Sequence, residues 1–275
     1  MLLMISKSNF LPTLLLIICF QGISFAQGDL MIMPKRIVFD GSQRSQEVNL
    51  VNTGSDSATY AISFIQYKMK EDGGFEQINE PEEGQRFAND FLRYYPRRVS
   101  LGPNEAQTLK VQVTRTGNLE NGEYRSHLYF RAVEKQTALG SEETSEAENN
   151  ISINIKTVFG ISIPVIIRNG KSSTVIELNN IDLDTDNDVI LSMDIHRKGN
   201  MSVYGNLSVK HIVDGNDPIN IGIVKGIAIY TPNKKREFSF ILQNTENVDL
   251  TKGVLEITYE SEKGEVFART IHELD

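Results

Sequence analysis

Very few residues of this sequence combine the side-chain types and the spacing that catalysis or metal binding requires. Its four histidines are scattered along the chain, at His127, His196, His211 and His272. None of them has a second histidine or a pair of carboxylates at the spacing of a metal site. The sequence also lacks a G-x-S-x-G nucleophile elbow and a glycine-rich phosphate-binding loop. We therefore predict that the protein is not an enzyme and holds no cofactor.

One acidic stretch has some of the character of a cation site. Aspartates stand at every second position, at Asp182, Asp184, Asp186 and Asp188. A calcium-binding EF-hand loop also needs a central glycine and a closing glutamate, and this stretch lacks both. We interpret it as a solvated acidic loop without a metal.

The first 26 residues have the features of a cleaved secretory signal peptide. Lys7 precedes a short apolar run, Leu11–Phe20, and small residues, Ser24 and Ala26, occupy the positions that signal peptidase reads. The alternative is an N-terminal membrane anchor. We prefer cleavage, because the apolar run is too short to cross a hydrocarbon layer of about 30 Å comfortably.

Cleavage after residue 26 removes the only cysteine, Cys19. Ile17 and Ile18 precede it where a lipobox has small residues, so we expect no lipid anchor. The remaining chain then has no disulfide, zinc–thiolate site or cysteine nucleophile. Its excess of acidic residues argues against nucleic acid as a partner. No later stretch has about 18 consecutive apolar residues, so we predict a soluble protein that is not membrane-embedded.

Beyond the leader, apolar and polar residues alternate with a period of two, as they do in half-buried β-strands. The alternating runs are 47–52, 60–67, 107–113 and 126–133, then 175–183, 189–196, 203–213, 219–230, 236–243, 253–260 and 266–272. About seven short strands per hundred residues, twice over, are typical of immunoglobulin-like β-sandwiches. We predict an all-β protein with two such domains in tandem, at 27–165 and 166–275, and a cleft between them. The acidic segment 134–150 interrupts the alternation, and we predict a mobile loop there.

A series of motifs follows in order along the first half of the chain: Lys35–Gly41, Gln46–Asn52, Tyr94–Asn104, Gln107–Val111 and Leu119–Phe130. In this order they resemble the strands of the periplasmic pilus-assembly chaperones of the chaperone–usher pathway. Ile155 and Lys156, with the apolar stretch after them, resemble the beginning of that family's last strand in the first domain. The resemblance covers about residues 30–165 and indicates a divergent member of the family.

The resemblance implies a periplasmic chaperone for pilin-like subunits, which are exported as sandwiches that lack their last strand. Such a chaperone donates an edge strand, whose backbone supplies hydrogen bonds while alternate apolar side chains enter the open groove. Ile151, Ile153 and Ile155 fall on one face of the predicted strand, so we assign them as the donor residues. From alternation alone these isoleucines could equally face the chain's own core.

The resemblance also implies an anchor for the C-terminal carboxylate of the bound subunit. Arg36 and Lys156 match the family's cationic pair, although from sequence alone both could be ordinary surface cations. An outer-membrane usher would be a further partner in this family. The sequence leaves open the identity of the subunit, the use of an usher, and self-association through the donor strand.

Two other functions remain as alternatives. The chain could be an immunoglobulin-like interaction or structural protein of a surface or secretion complex that donates no strand. It could also be a carbohydrate-binding sandwich, although the sequence contains no tryptophan and no clear aromatic platform. A client that depends on Arg36 and Lys156 would distinguish the chaperone from both.

Overall fold

The structure is a computed structural model that describes residues 30–115, 117, 119–133, 159–246 and 248–274. The predicted signal peptide, the acidic segment 134–150, the donor isoleucines and Lys156 lie outside these residues. Within them the regular secondary structure is almost entirely β-strand, which confirms the all-β prediction. None of their helical turns is long and apolar enough to cross a membrane.

Two facing sheets form the first sandwich. In spatial order, one sheet consists of β1 (Leu30–Met33), β3 (Ser45–Asn52), β9 (Ala106–Val113) and β7 (Leu92–Tyr95). The other consists of β2 (Ile37–Phe39), β11 (Gly160–Asn169), β10 (Gly122–Val133), β4 (Ala58–Ile65) and β8 (Arg98–Leu101). A separate ribbon pairs β5 (Tyr67–Met69) with β6 (Phe75–Gln77), and Asn89–Phe91 forms one turn of 3-10 helix.

The second sandwich contains seven described strands, the number that the sequence predicts. One sheet consists, in spatial order, of β12 (Val175–Asp184), β13 (Ile190–Lys198) and β16 (Lys235–Ile241). The other consists of β15 (Ile219–Ile229), β14 (Val203–Ile212), β17 (Val254–Glu260) and β18 (Val266–Glu273). Each sandwich therefore closes its own apolar core between two sheets, as period-two alternation requires.

A third, smaller apolar cluster joins the two sandwiches. It contains Met69 from the β5–β6 ribbon, Ile166 from the first sandwich, and Ala228 and Tyr230 from the second. We call the region around this cluster the interdomain seam. Strand β11 runs into the seam and ends at Asn169, beyond the boundary at 165/166 that the sequence suggests.

Candidate functional site

Alternation along β2 directs Arg36 into the interdomain seam. Ile37 and Phe39 are buried in the core of the first sandwich, so Arg36 and Val38 point to the opposite face of their sheet. Val38 packs against the apolar cluster of the seam. The guanidinium carbon of Arg36 lies 4.5 Å from the ring centroid of Tyr204 and 5.7 Å from that of Tyr230.

The guanidinium of Arg36 has no acidic partner among the described residues. Its Nε is buried and has no hydrogen-bond acceptor there. Burial is the main influence on the group and lowers the pKa of Arg36 from its ordinary value, and the charge of Arg168 adds to this effect. A half-buried cation whose described neighbours are aromatic rings is a favourable place for an incoming anion, because part of the desolvation cost is already present in the free protein.

Among the described residues, Glu123 of strand β10 is the carboxylate that acts on Arg36 and Arg168. Oε2 of Glu123 accepts hydrogen bonds from Arg168 Nε (3.3 Å), from the backbone N–H of Ser202 (3.0 Å) and from Ser202 Oγ (2.6 Å). Arg168 also donates from Nη2 to the carbonyl of Ser202, at 2.7 Å. Glu123 thus connects the two sandwiches and neutralises Arg168, but it makes no ion pair with Arg36.

Arg125 is a second arginine of the seam without an acidic partner in the described chain. Its Nη2 donates to the carbonyls of Tyr67 (3.3 Å) and Thr231 (3.2 Å), and its guanidinium carbon lies 4.3 Å from the Tyr230 centroid. Nε and Nη1 are buried and have no acceptor. Of the described carboxylates, Glu123 alone acts on Arg36, Arg125 and Arg168, so the described part of the seam has an excess of positive charge.

An open sheet edge begins beside Arg36. Strand β2 pairs in parallel with β11 only from Ile37, which lies opposite Val165. Upstream of Val165, the residues 160–164 of β11 pair with β10 on one side, whereas no described strand pairs with them on the other. Arg36 marks the point at which this free edge ends.

The side chains of β11 become more exposed toward the start of the strand. Ile163 is buried in the first core, Ile161 is half-buried against it, and Phe159 is 45% exposed. These residues occupy alternate positions and therefore share a face. The apolar face of β11 thus extends beyond the core that the described residues form.

The ribbon of β5 and β6 holds the two sandwiches together at the other side of Tyr230. Met69 contributes to the apolar cluster, and the carbonyl of Glu71 accepts a hydrogen bond of 2.9 Å from the backbone N–H of Glu237. The Glu71 carboxylate lies 3.3 Å from Lys235 Nζ. The ribbon therefore contacts the second sandwich next to the seam in which Arg36 lies.

A cavity of about 320 Å³ lies in the second sandwich. None of its described lining residues has a buried polar side-chain atom without a hydrogen-bond partner, in contrast to Arg36. His211 Nε2 is 2.8 Å from the Lys252 carbonyl, and Asp249 is bound to Thr251 and Lys252, whose hydrogen bonds lower the pKa of its carboxyl to about 2. Across the described ranges, no cluster of three histidine, cysteine or acidic side chains could hold a metal ion.

Of the residues predicted from sequence, Arg36 is the one that the structure describes. Ile151, Ile153, Ile155 and Lys156 lie outside the described ranges, so their roles stay predictions. The sequence reasoning missed Glu123, Arg125 and Arg168. The available sequence signal was the presence of these charged residues within β-strand segments that are otherwise largely apolar.

Comparison with known proteins places this geometry in context. No protein-family model and no curated protein sequence matches the chain. Solved structures of chaperones do match along nearly their whole length. The YadV chaperone is 12% identical, with 90% of this chain and 100% of that chain covered and a TM-score of 0.44. The Pseudomonas aeruginosa CupB2 chaperone is 13% identical, with coverages of 89% and 99% and a TM-score of 0.40.

The E. coli chaperone DraB gives similar values, with 11% identity, coverages of 90% and 99%, and a TM-score of 0.40. The sheets and apolar cores of the structure itself confirm the prediction of two β-sandwiches.

Proposed function

We propose that this protein is a periplasmic chaperone that binds exported pilin-like subunits, donates an edge strand to them and anchors their C-terminal carboxylate at Arg36. The observation that carries the proposal is the position of Arg36. A half-buried guanidinium, with a buried Nε and no acidic partner among the described residues, lies where the pairing of β2 with β11 stops and a free sheet edge begins. One extended chain can therefore use both features together.

Charge determines the direction in which such a chain would bind. A strand that occupies the free edge beside residues 160–164 meets Arg36 at one end. If it runs parallel to β11, the terminus at Arg36 is its carboxylate, which gains charge-assisted hydrogen bonds of about 1.5–3 kcal/mol each. If it runs antiparallel, an ammonium group meets the guanidinium and is repelled. We therefore propose parallel strand addition, with the register fixed by the carboxylate.

The donor residues follow from the same face of β11. Phe159 and Ile161 stand at odd positions, and so do Ile151, Ile153 and Ile155. If the alternation continues upstream, these isoleucines lie on the exposed apolar face and enter the client's open groove. Burial of three isoleucine side chains contributes on the order of 5–8 kcal/mol before the ordering costs of association.

Lys156 is the second cation of the proposed anchor, on the evidence of its sequence motif. The proposed setting is the periplasm, reached through the signal peptide at 1–26, with an outer-membrane usher as the receiver of the chaperone–client complex. The mechanism involves strand pairing and charge neutralisation and needs no catalytic step.

Capture of clients from periplasmic extracts tests the proposal. The wild-type protein should co-purify with a subunit that has an incomplete sandwich, whereas Arg36→Ala should lose at least 90% of that yield and still fold. Arg98→Ala is the matched control, because Arg98 is exposed on β8 at the opposite edge of the same sheet. Equal client yields from Arg36→Ala and Arg98→Ala would refute the anchor.

Ile153→Asp tests strand donation separately. It should abolish client capture while the thermal transition of the free protein shifts by less than about 2 °C, because a donor residue makes no contact with the chain's own core. A large loss of thermal stability would instead place Ile153 in that core and contradict donation.

A further inference from the structure

We infer that Arg125 is a further cation of the carboxylate site and stabilises the bound carboxylate through the Tyr230 ring without contacting it. The inference rests on the proposed anchoring role of Arg36. It assigns a role to a residue that lies on another strand, β10, and that is almost completely buried.

The geometry places both guanidinium groups at one aromatic ring. Their carbons lie 4.3 Å (Arg125) and 5.7 Å (Arg36) from the Tyr230 centroid, so the two cations are separated by at most about 10 Å. Burial is the main cause of the lowered pKa of Arg125, and the charge of Arg36 lowers it further. The two charges therefore disfavour each other in the free protein, and a carboxylate at Arg36 relieves this repulsion.

Arg125 also has unused donors, which separates it from a purely structural arginine. Its Nε and Nη1 have no acceptor in the described part of the chain. Arg197 is the contrasting case: its Nε donates to the Asn233 carbonyl at 2.9 Å, and its Nη1 donates to those of Gly199 and Met201 at 2.8 and 2.9 Å. Arg197 fixes backbone carbonyls, whereas the charge of Arg125 is only partly compensated.

Burial explains why the effect is electrostatic. The unpaired nitrogens of Arg125 are closed off from solvent, so a ligand at Arg36 does not reach them unless the seam opens. A charge about 10 Å away still matters where solvent is excluded. With an effective dielectric constant of about 20, Coulomb attraction at that distance changes a dissociation constant by about tenfold to twentyfold.

A minimal model of a chain terminus tests the inference on the full-length mature protein. N-acetylglycine carries the carboxylate, and N-acetylglycinamide is the uncharged control. Wild-type protein should bind N-acetylglycine and discriminate against the amide, and Arg125→Met should weaken N-acetylglycine binding by about tenfold. Arg125→Lys should stay within about threefold of wild type, because it restores the charge. Arg197→Met should leave the affinity unchanged.

The outcomes separate this inference from the proposed function. If Arg125→Met binds N-acetylglycine as wild type does while Arg36→Ala does not, the inference is wrong and the anchor stands. If neither substitution changes binding, or if wild type shows no saturable binding, both are wrong. A loss in Arg125→Met that Arg125→Lys does not restore would also overturn the inference, because the role would then depend on shape and not on charge.

Side-chain NMR on the wild-type protein covers the case in which Arg125→Met does not fold. The Nε–H resonance of Arg125, identified by its absence in Arg125→Lys, should shift when N-acetylglycine is added and should not shift with the amide. The Nε–H resonance of Arg197 is the internal reference and should stay in place. An unchanged Arg125 resonance at saturating N-acetylglycine would overturn the inference.

Discussion

Replacement of Glu123 by alanine should lower the free energy of unfolding by about 3–5 kcal/mol, the usual loss when one partner of a buried charge pair is removed. Oε2 of Glu123 accepts three hydrogen bonds, one from Arg168 and two from Ser202, and its side chain is 0% exposed. The substitution therefore leaves Arg36, Arg125 and Arg168 without a carboxylate among the described residues, and it removes the two bonds from Ser202 of the second sandwich to Glu123.

Urea unfolding at pH 7, followed by far-UV circular dichroism, measures this loss. Glu120→Ala is the control, because Glu120 lies three residues earlier, is 75% exposed and pairs with Arg86 at 2.7 Å. A surface ion pair of this kind contributes about 0–1 kcal/mol. If Glu123→Ala costs no more than Glu120→Ala, Glu123 does not hold the two sandwiches together and the electrostatic description of the seam is wrong.

Three further predictions concern residues in or near the seam. Burial lowers the pKa of His127 to about 3, so its contribution to stability is present above about pH 6.5 and is lost as the pH falls toward 3. His127→Leu should therefore flatten the decline in unfolding free energy between pH 6 and 4 by up to about 1.4 kcal/mol per pH unit, and an unchanged slope would contradict a buried neutral histidine. Ser202→Ala should cost about 1–2 kcal/mol in urea unfolding, because Glu123 loses its 2.6 Å hydroxyl donor, and a neutral effect would argue against that bond. Gly73→Ala should destabilise the protein more than Gly215→Ala. Both glycines have φ +84°, but an added Cβ at Gly73 would lie 2.6 Å from Arg236 Nη2, whereas an added Cβ at Gly215 would meet no atom within 4 Å. Equal losses in thermal denaturation would show that the ribbon tip does not contact the second sandwich closely.

The strands of the second sandwich could be predicted because period-two alternation is a local property. The predicted runs 203–213 and 253–260, for example, correspond to β14 and β17 within one residue at each end. Two sandwiches follow from the strand count, because strands with one apolar face need a facing sheet. The role of Arg36 was predicted from the motif around it, because the position of a single arginine cannot be inferred from periodicity.

The rest of the site depends on contacts between distant parts of the chain. Read in isolation, the alternation of Glu123 and Arg125 with other residues of β10 indicates that they lie on a solvent-facing side of the strand. These residues are buried because the second sandwich covers that face, through Ser202 and Thr231. Likewise, the parallel pairing of Ile37 with Val165 joins strands far apart in sequence, and no local pattern specifies it. The free edge next to Arg36 was therefore not predictable from the sequence alone.

Arg125 and Lys156 are both proposed as further cations of the carboxylate site, on different evidence. The proposed role of Lys156 rests on its sequence motif, and the residue lies outside the described ranges. Arg125, by comparison, shares the Tyr230 ring with Arg36. Lys156→Ala in the N-acetylglycine assay decides which of the two cations acts on the carboxylate that Arg36 binds.

The central claim is that Arg36 recognises the terminal carboxylate of the client, and a double-mutant cycle on the captured subunit tests it most directly. One change is Arg36→Ala, and the other is a Gly-Gly extension that moves the client's carboxylate beyond its last strand. Each change alone should weaken binding by about tenfold to 150-fold, which corresponds to about 1.5–3 kcal/mol. The extension should cost almost nothing further when Arg36 is already alanine. Additive losses would contradict the account, because they would mean that the arginine and the carboxylate act on binding independently.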